Sequence, residues 1–158
     1  MSAVLFVCLG NICRSPTAEA VFKHRAHRAG LCVEIDSAGT GAWHKGEAPD
    51  ERAQDAGMRR GYDFSGQAAR AVHINDFAHY DFIVAMDGTN LADLTRMCPP
   101  PEQDKLHLFL DFAADQSMRE VPDPYYGGAG GFDHVLDLVE QASDGLIAHL
   151  QDLARKSG

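Results

Sequence analysis

The chain has 158 residues, 45% of them hydrophobic, which suits one domain with its own core and no need of metal or disulfide support. Its net charge of −9 is spread along the chain, not gathered in a tail, which argues against nucleic acid and anionic membranes as partners. An anionic substrate is still allowed, because inside a pocket a local ring of donors outweighs a distant negative surface.

The opening run Ala3-Val4-Leu5-Phe6-Val7-Cys8-Leu9 has no basic flank before it and no small-residue cleavage site after it, and it is too short to span a bilayer. Val-rich and bounded by Gly10 and Asn11, it reads as a buried parallel strand. Without an export signal, Cys8, Cys13, Cys32 and Cys98 are expected as thiols in a reducing, cytoplasmic setting, and no C-x-x-C pair suggests a structural zinc. Ser15 reads as an N-cap with Pro16 at the first helical position. The helix then runs to about residue 29 with Ala18, Val21, Phe22 and Ala26 at helical spacing, and Gly30 ends it. A second strand is expected over residues 33–36, a Gly-rich loop over 39–46, and a polar helix from Pro49 to about 59. Residues 80–86 form a third strand. A short helix carrying Leu91 and Leu94 stops at Pro99-Pro100-Pro101, a fourth strand spans 106–110, and a long amphipathic helix closes the chain from about 132 to 154.

Strands alternating with helices predict an α/β fold: a single-domain (1–158), open four-stranded parallel sheet with helices on both faces, Rossmann-like or flavodoxin-like. Ligands of such sheets bind beyond the carboxyl ends of the strands, which points to the loop over residues 8–15.

That loop, Cys8-Leu9-Gly10-Asn11-Ile12-Cys13-Arg14-Ser15, begins with a thiol and ends with a guanidinium and a hydroxyl. Backbone N–H groups of a tight loop at a helix N-terminus converge on one point and cradle a dianionic phosphate. Gly10 permits the turn, Arg14 can hold two phosphate oxygens with its planar fork, and the same positive potential favours the thiolate of Cys8 as a nucleophile. A cysteine followed six positions on by arginine arises by chance roughly one time in four in such a chain, and a following Ser or Thr lowers this to about 2%. A proton donor is also required. Asp123 in Val121-Pro122-Asp123-Pro124-Tyr125-Tyr126 lies between stiffening prolines, and Tyr125 and Tyr126 could wall a slot for a phenyl ring. Trp43, in the Gly-rich loop, is either another wall or a cover for the core.

The chain resembles the low-molecular-weight protein tyrosine phosphatases over nearly its whole length, from Val4 through Pro16, at Ser37-Ala38-Gly39, Met86-Asp87 and Asp123-Pro124-Tyr125-Tyr126, to the final helix. The resemblance implies a metal- and cofactor-independent phosphatase acting on phosphotyrosine-containing proteins through a phosphocysteine. Cys8 is then the nucleophile, Arg14 the phosphate ligand, and Asp123 the acid and later the base. Residues Leu9, Gly10, Asn11, Ile12, Cys13 and Ser15 complete the phosphate-binding loop. Ser15 steadies the departing thiolate, Asn11 locks the loop with Ser37 as partner, and Cys13 can trap an oxidised Cys8 as a disulfide. A monomer is expected, with a weak dimer as the alternative. The chain departs from the family where many members have a histidine that ties down the loop Asn, and Gln67 is expected to supply that hydrogen bond instead. The side-chain-poor run Gly127-Gly128-Ala129-Gly130-Gly131 suggests flexibility behind the acid loop.

Three rival readings are open. An arsenate reductase would need two more cysteines near residues 80–90, where there are none; a phosphoarginine phosphatase would carry Thr in place of Ile12; a phosphate-binding module without turnover would lack the Arg or the acid. His24 and His27, three apart on one helix face, lack a third ligand and read as surface, as do Arg59, Arg60 and Arg70.

Overall fold

The computed structural model describes residues 1–125, 128 and 130–157. Four strands, β1 (Ser2–Cys8), β2 (Val33–Gly39), β3 (Phe82–Ala85) and β4 (Leu106–Leu108), form one parallel sheet in the order β2-β1-β3-β4. Phe6 of β1 lies between Ser37 of β2 and Val84 of β3, and Cys8 ends the strand opposite Gly39. The helices are α1 (Arg14–Arg28), α2 (Glu51–Arg59), α3 (Asp76–His79), α4 (Gly88–Met97) and α5 (Gly130–Ser157), with 3-10 turns at Pro100–Lys105 and Phe109–Phe112 flanking β4.

The sheet has two buried faces, and the alternation of β1 divides its side chains between them. Val4, Phe6 and Cys8 face the core under α1, α2 and α5, while Ala3, Leu5 and Val7 face α3 and α4. This is why β1 reads as a continuous apolar run with no polar alternation. Phe6 is fully buried and meets the rings of Phe22 at 5.4 Å and Phe109 at 5.0 Å; burial of such a side chain contributes about 2–3 kcal/mol. Among the described residues no helix is long and apolar enough to cross a membrane.

The order β2-β1-β3-β4 has the flavodoxin-like pattern, in which the direction of winding reverses between β1 and β3 and a crevice opens there. The loop after β1 stands at that crevice. Several local expectations change. Ser15 is not the N-cap of α1: the helix already starts at Arg14 with Cys13 before it, and the Ser15 hydroxyl is used elsewhere. The third strand is shorter than its apolar run, because Tyr80 follows the one-turn α3 and the ladder begins only at Phe82. The last helix starts earlier than expected, with Gly130 and Gly131 in its first turn, whereas Gly127 and Ala129 of the glycine-rich run lie outside the described residues.

Candidate active site

The segment from Cys8 to Ser15 leaves β1 and enters α1 in a few residues, so its backbone must bend sharply. The residue that takes the left-handed conformation is Asn11, at φ 57, and not Gly10. Asn tolerates this region when its side chain is hydrogen-bonded locally, and here every polar atom of the amide is used. Asn11 Nδ2 donates to Ser15 Oγ at 2.8 Å and Ser37 Oγ at 3.0 Å, while its Oδ1 accepts from the Arg70 backbone N–H at 3.0 Å. Gln67, expected to supply the missing histidine's bond to Asn11, does not: its Nε2 donates to the Pro16 carbonyl at 3.1 Å. A backbone N–H close at hand does that work, because the segment around Arg70 bridges to the end of β2 at Gly39. Gly39 itself lies under the loop, where a Cβ would come within 2.7 Å of the Leu9 carbonyl oxygen, so only glycine allows this approach. Gly10 in turn leaves room for His44, whose Cδ2 would be 3.0 Å from a Cβ there.

Cys8 is buried at the floor. Its Sγ accepts from the Asn11 backbone N–H at 3.3 Å and lies 3.0 Å from Ser15 Oγ. The first turn of α1 contains no acidic residue, so its positive end is left for an anion. Arg14 is 3% exposed and aimed by two contacts: one Nη donates to Asp87 Oδ2 at 2.6 Å and to the Val121 carbonyl at 2.9 Å. Asp87 is anchored in its own right, since its Oδ1 accepts from the Asn90 N–H and caps α4. Asp123 stands 3.8 Å from the other Arg14 Nη, with its side chain half exposed and its Oδ1 accepting from the Tyr125 N–H at 3.0 Å. That short turn between Pro122 and Pro124 presents the second carboxylate oxygen to the cavity.

The cavity measures ≈ 290 Å³, near the lower end of the roughly 300–1,000 Å³ typical of small-molecule sites. Cys8 and Arg14 line it below, with Leu9, Ile12 and Asp123 around them and Trp43, His44 and Tyr125 as ring walls. Trp43 is therefore a wall and not a core cover: it is 72% exposed and packs on Gly41. Tyr125 is backed by the Arg52 guanidinium, 5.3 Å from its ring centre and 4.9 Å from that of Phe132. Tyr126, the second expected wall, lies outside the described residues. Cys13 also lines the cavity, but burial, helped by the negative charge of Asp50, pushes its thiol up to about 12, so it stays protonated at neutral pH.

Three residues here were not singled out as candidates. Asp87 has the clearest signal, a carboxylate directly after a strand and before a helix, where the loops of such sheets meet ligands. His44 adjoins Trp43 and donates or accepts through Nδ1 with Glu47 Oε2 at 3.0 Å. Glu19, one turn after Ser15 in the buried part of α1, accepts from Ser37 Oγ at 2.6 Å. Arg70, read as a free surface cation, is instead bound to Asp36 and Asp76 beneath the loop.

A thiol at the end of β1, a buried arginine six residues on, and an aspartate across the cavity come together where the winding of a flavodoxin-like sheet reverses. The pattern of the low molecular weight phosphotyrosine protein phosphatases matches residues 3–156, and the chain belongs to that family. It is 42% identical over 153 residues to the low molecular weight protein-tyrosine-phosphatase YfkJ of Bacillus subtilis, covering 96% of this chain and 97% of that one. The fold matches, at a TM-score of 0.93 and 42% identity, the crystal structure of a protein tyrosine phosphatase from Entamoeba histolytica with Hepes in the active site, covering 96% and 98% of the two chains. It also matches the Drosophila arginine phosphatase, at a TM-score of 0.88 and 32% identity, covering 95% and 98%.

Proposed function

We propose that the protein hydrolyses phosphotyrosine through a phosphocysteine formed on Cys8. The observation that carries this reading is the convergence on one cavity of the Cys8 sulfur, the Arg14 guanidinium and the Asp123 carboxyl, with aromatic rings above them. Cys8 attacks phosphorus as a thiolate; an S–P bond forms while the bond to the phenolic oxygen breaks. Asp123, in its acid form, gives its proton to that leaving oxygen. In the second step the Asp123 carboxylate takes a proton from a water whose oxygen attacks phosphorus, the S–P bond breaks, and the electron pair returns to sulfur, steadied by the Ser15 hydroxyl. Arg14 and the loop N–H groups follow the equatorial oxygens throughout.

The walls favour an aryl ester over phosphoarginine. Ile12 is apolar and buried, and Trp43 and Tyr125 offer faces for ring stacking, whereas a guanidino group would need polar partners. Cys13, kept as a thiol at neutral pH, does not compete with Cys8 for phosphorus; we assign it a second role, in which a peroxide oxidises the Cys8 thiolate to a sulfenic acid and the Cys13 sulfur attacks it, closing a disulfide with loss of water. The test is turnover of p-nitrophenyl phosphate, a phosphotyrosine peptide and a phosphoarginine peptide without added metal. Wild-type protein should turn over the first two well and the third poorly, and Cys8→Ser should lose all turnover while still binding phosphate. Turnover by that variant would refute the mechanism, and a preference for phosphoarginine would refute the substrate.

A further inference from the structure

Four side chains beneath the phosphate-binding loop, Asn11, Ser15, Ser37 and Glu19, are 3%, 0%, 5% and 7% exposed and are joined in one hydrogen-bond chain that ends at Cys8. Shut off from water, each proton in such a chain has few places to go, so its directions can be worked out. The Arg70 N–H is a donor only and points at Asn11 Oδ1, which settles the orientation of the amide. Both Nδ2 hydrogens therefore go to hydroxyl oxygens, one to Ser15 and one to Ser37. Each serine must then direct its own hydrogen elsewhere. For Ser37 the acceptor is Glu19 Oε1 at 2.6 Å. For Ser15 it is the Cys8 sulfur at 3.0 Å, the Ala38 carbonyl lying farther away at 3.4 Å.

From this we infer that Glu19 is a positioning residue for the reaction: as the acceptor of the Ser37 hydrogen it fixes the Asn11 amide, and so leaves Ser15 as a donor to the Cys8 thiolate. This rests on Cys8 being the nucleophile. Without an acceptor at position 19, the Ser37 hydroxyl turns its hydrogen toward Asn11, the amide rotates to meet it, and Oδ1 competes with the Cys8 sulfur for the Ser15 hydrogen. The left-handed turn at Asn11 loses its bond to Arg70 in the same movement. Burial pushes the Glu19 carboxyl up, opposed by the Ser37 hydrogen bond and by Lys23, whose Nζ is 4.0 Å from Oε2; Asp36 raises it and Arg70 lowers it further. A carboxyl kept in place against that desolvation is costly for stability alone, which is consistent with a role in the site.

The experiment compares Glu19→Leu, which has no acceptor, with Glu19→Gln, which keeps one. Glu19→Leu should lower kcat for p-nitrophenyl phosphate about 10- to 100-fold, the worth of one hydrogen bond to a charged group, with KM changing less. The rate at which iodoacetamide alkylates Cys8 at pH 6, followed by peptide mass mapping, should fall in parallel. Glu19→Gln should recover most of both losses. If Glu19→Leu fails to fold, Ser37→Ala breaks the same chain from the other side and should reproduce both effects. Wild-type kcat and alkylation in Glu19→Leu, or in Ser37→Ala, or a Gln variant as impaired as the Leu variant, would overturn the inference. Cys8→Ser, run alongside, separates the two readings: a silent Cys8→Ser with an unaffected Glu19→Leu sinks only the role of Glu19, whereas an active Cys8→Ser sinks the mechanism beneath it.

Discussion

The contact between Arg14 and Asp87 should reveal itself in stability and in its response to an anion. The pair is 2.6 Å long with side chains 4% and 23% exposed, so it is only partly screened, and Asp87 also caps α4 through its other oxygen. Asp87→Asn keeps an effective cap but removes the charge opposite a buried guanidinium. Loss of one partner of a buried pair costs about 3–5 kcal/mol, and the exposure of Asp87 together with the surviving Val121 contact reduces this to about 2 kcal/mol. For a chain of this length each 1 kcal/mol lowers the melting point by about 2–4 °C, so Asp87→Asn should melt about 4–8 °C below wild type. Asp87→Ala also loses the cap, worth about 1 kcal/mol, and should fall about 6–12 °C in all. Saturating inorganic phosphate supplies Arg14 with a new anion, so it should raise the variants' melting points more than that of wild type. Thermal unfolding by circular dichroism with and without phosphate measures all three. An Asp87→Asn protein within about 1 °C of wild type, or one that phosphate stabilises no more than wild type, would refute the account of how Arg14 is positioned.

Two further outcomes follow from other parts of the molecule. Asp123→Ala should lower kcat on the order of 10²–10⁴-fold for phenyl phosphate and far less for esters whose leaving group needs no proton; an equal loss across a leaving-group series would assign the acid to another residue. At the far edge of the sheet, His107 packs among Phe82, Phe112 and His149, and burial together with His149 holds its imidazole below the ordinary value of 6.5, against the pull of Asp111. The unfolded chain therefore takes up a proton first, so this contribution is complete above about pH 6.5 and is lost as pH falls below it. His107→Phe should flatten the acid side of the melting-point profile between about pH 7 and 5, and a variant that tracks wild type there would show that His107 titrates freely.

What could be read in the letters was what depends on neighbours in the chain. A run of apolar residues ended by Gly10 and Asn11, followed by Ser15-Pro16, specifies strand, loop and helix because each signal acts within a few positions. The same locality places Cys8 and Arg14 on one loop, and the family resemblance extended this to Asp123, more than a hundred residues away. Local signals misled where backbone and side chain compete for one group: the Ser15 hydroxyl reads as a cap, yet it serves Cys8 and Asn11 instead. Only the folded sheet decided the rest. Asp87 meets Arg14 because β3 lies beside β1; the Arg70 N–H, not Gln67, meets Asn11 because its segment pairs with the end of β2; Glu19 finds Ser37 because α1 packs across that same strand. These partners are separated by 18 to 73 positions, and no periodicity links them. A hydrogen bond requires atoms within about 3 Å, and over such separations that distance is set by the packing of the two faces of the sheet and not by local chain geometry.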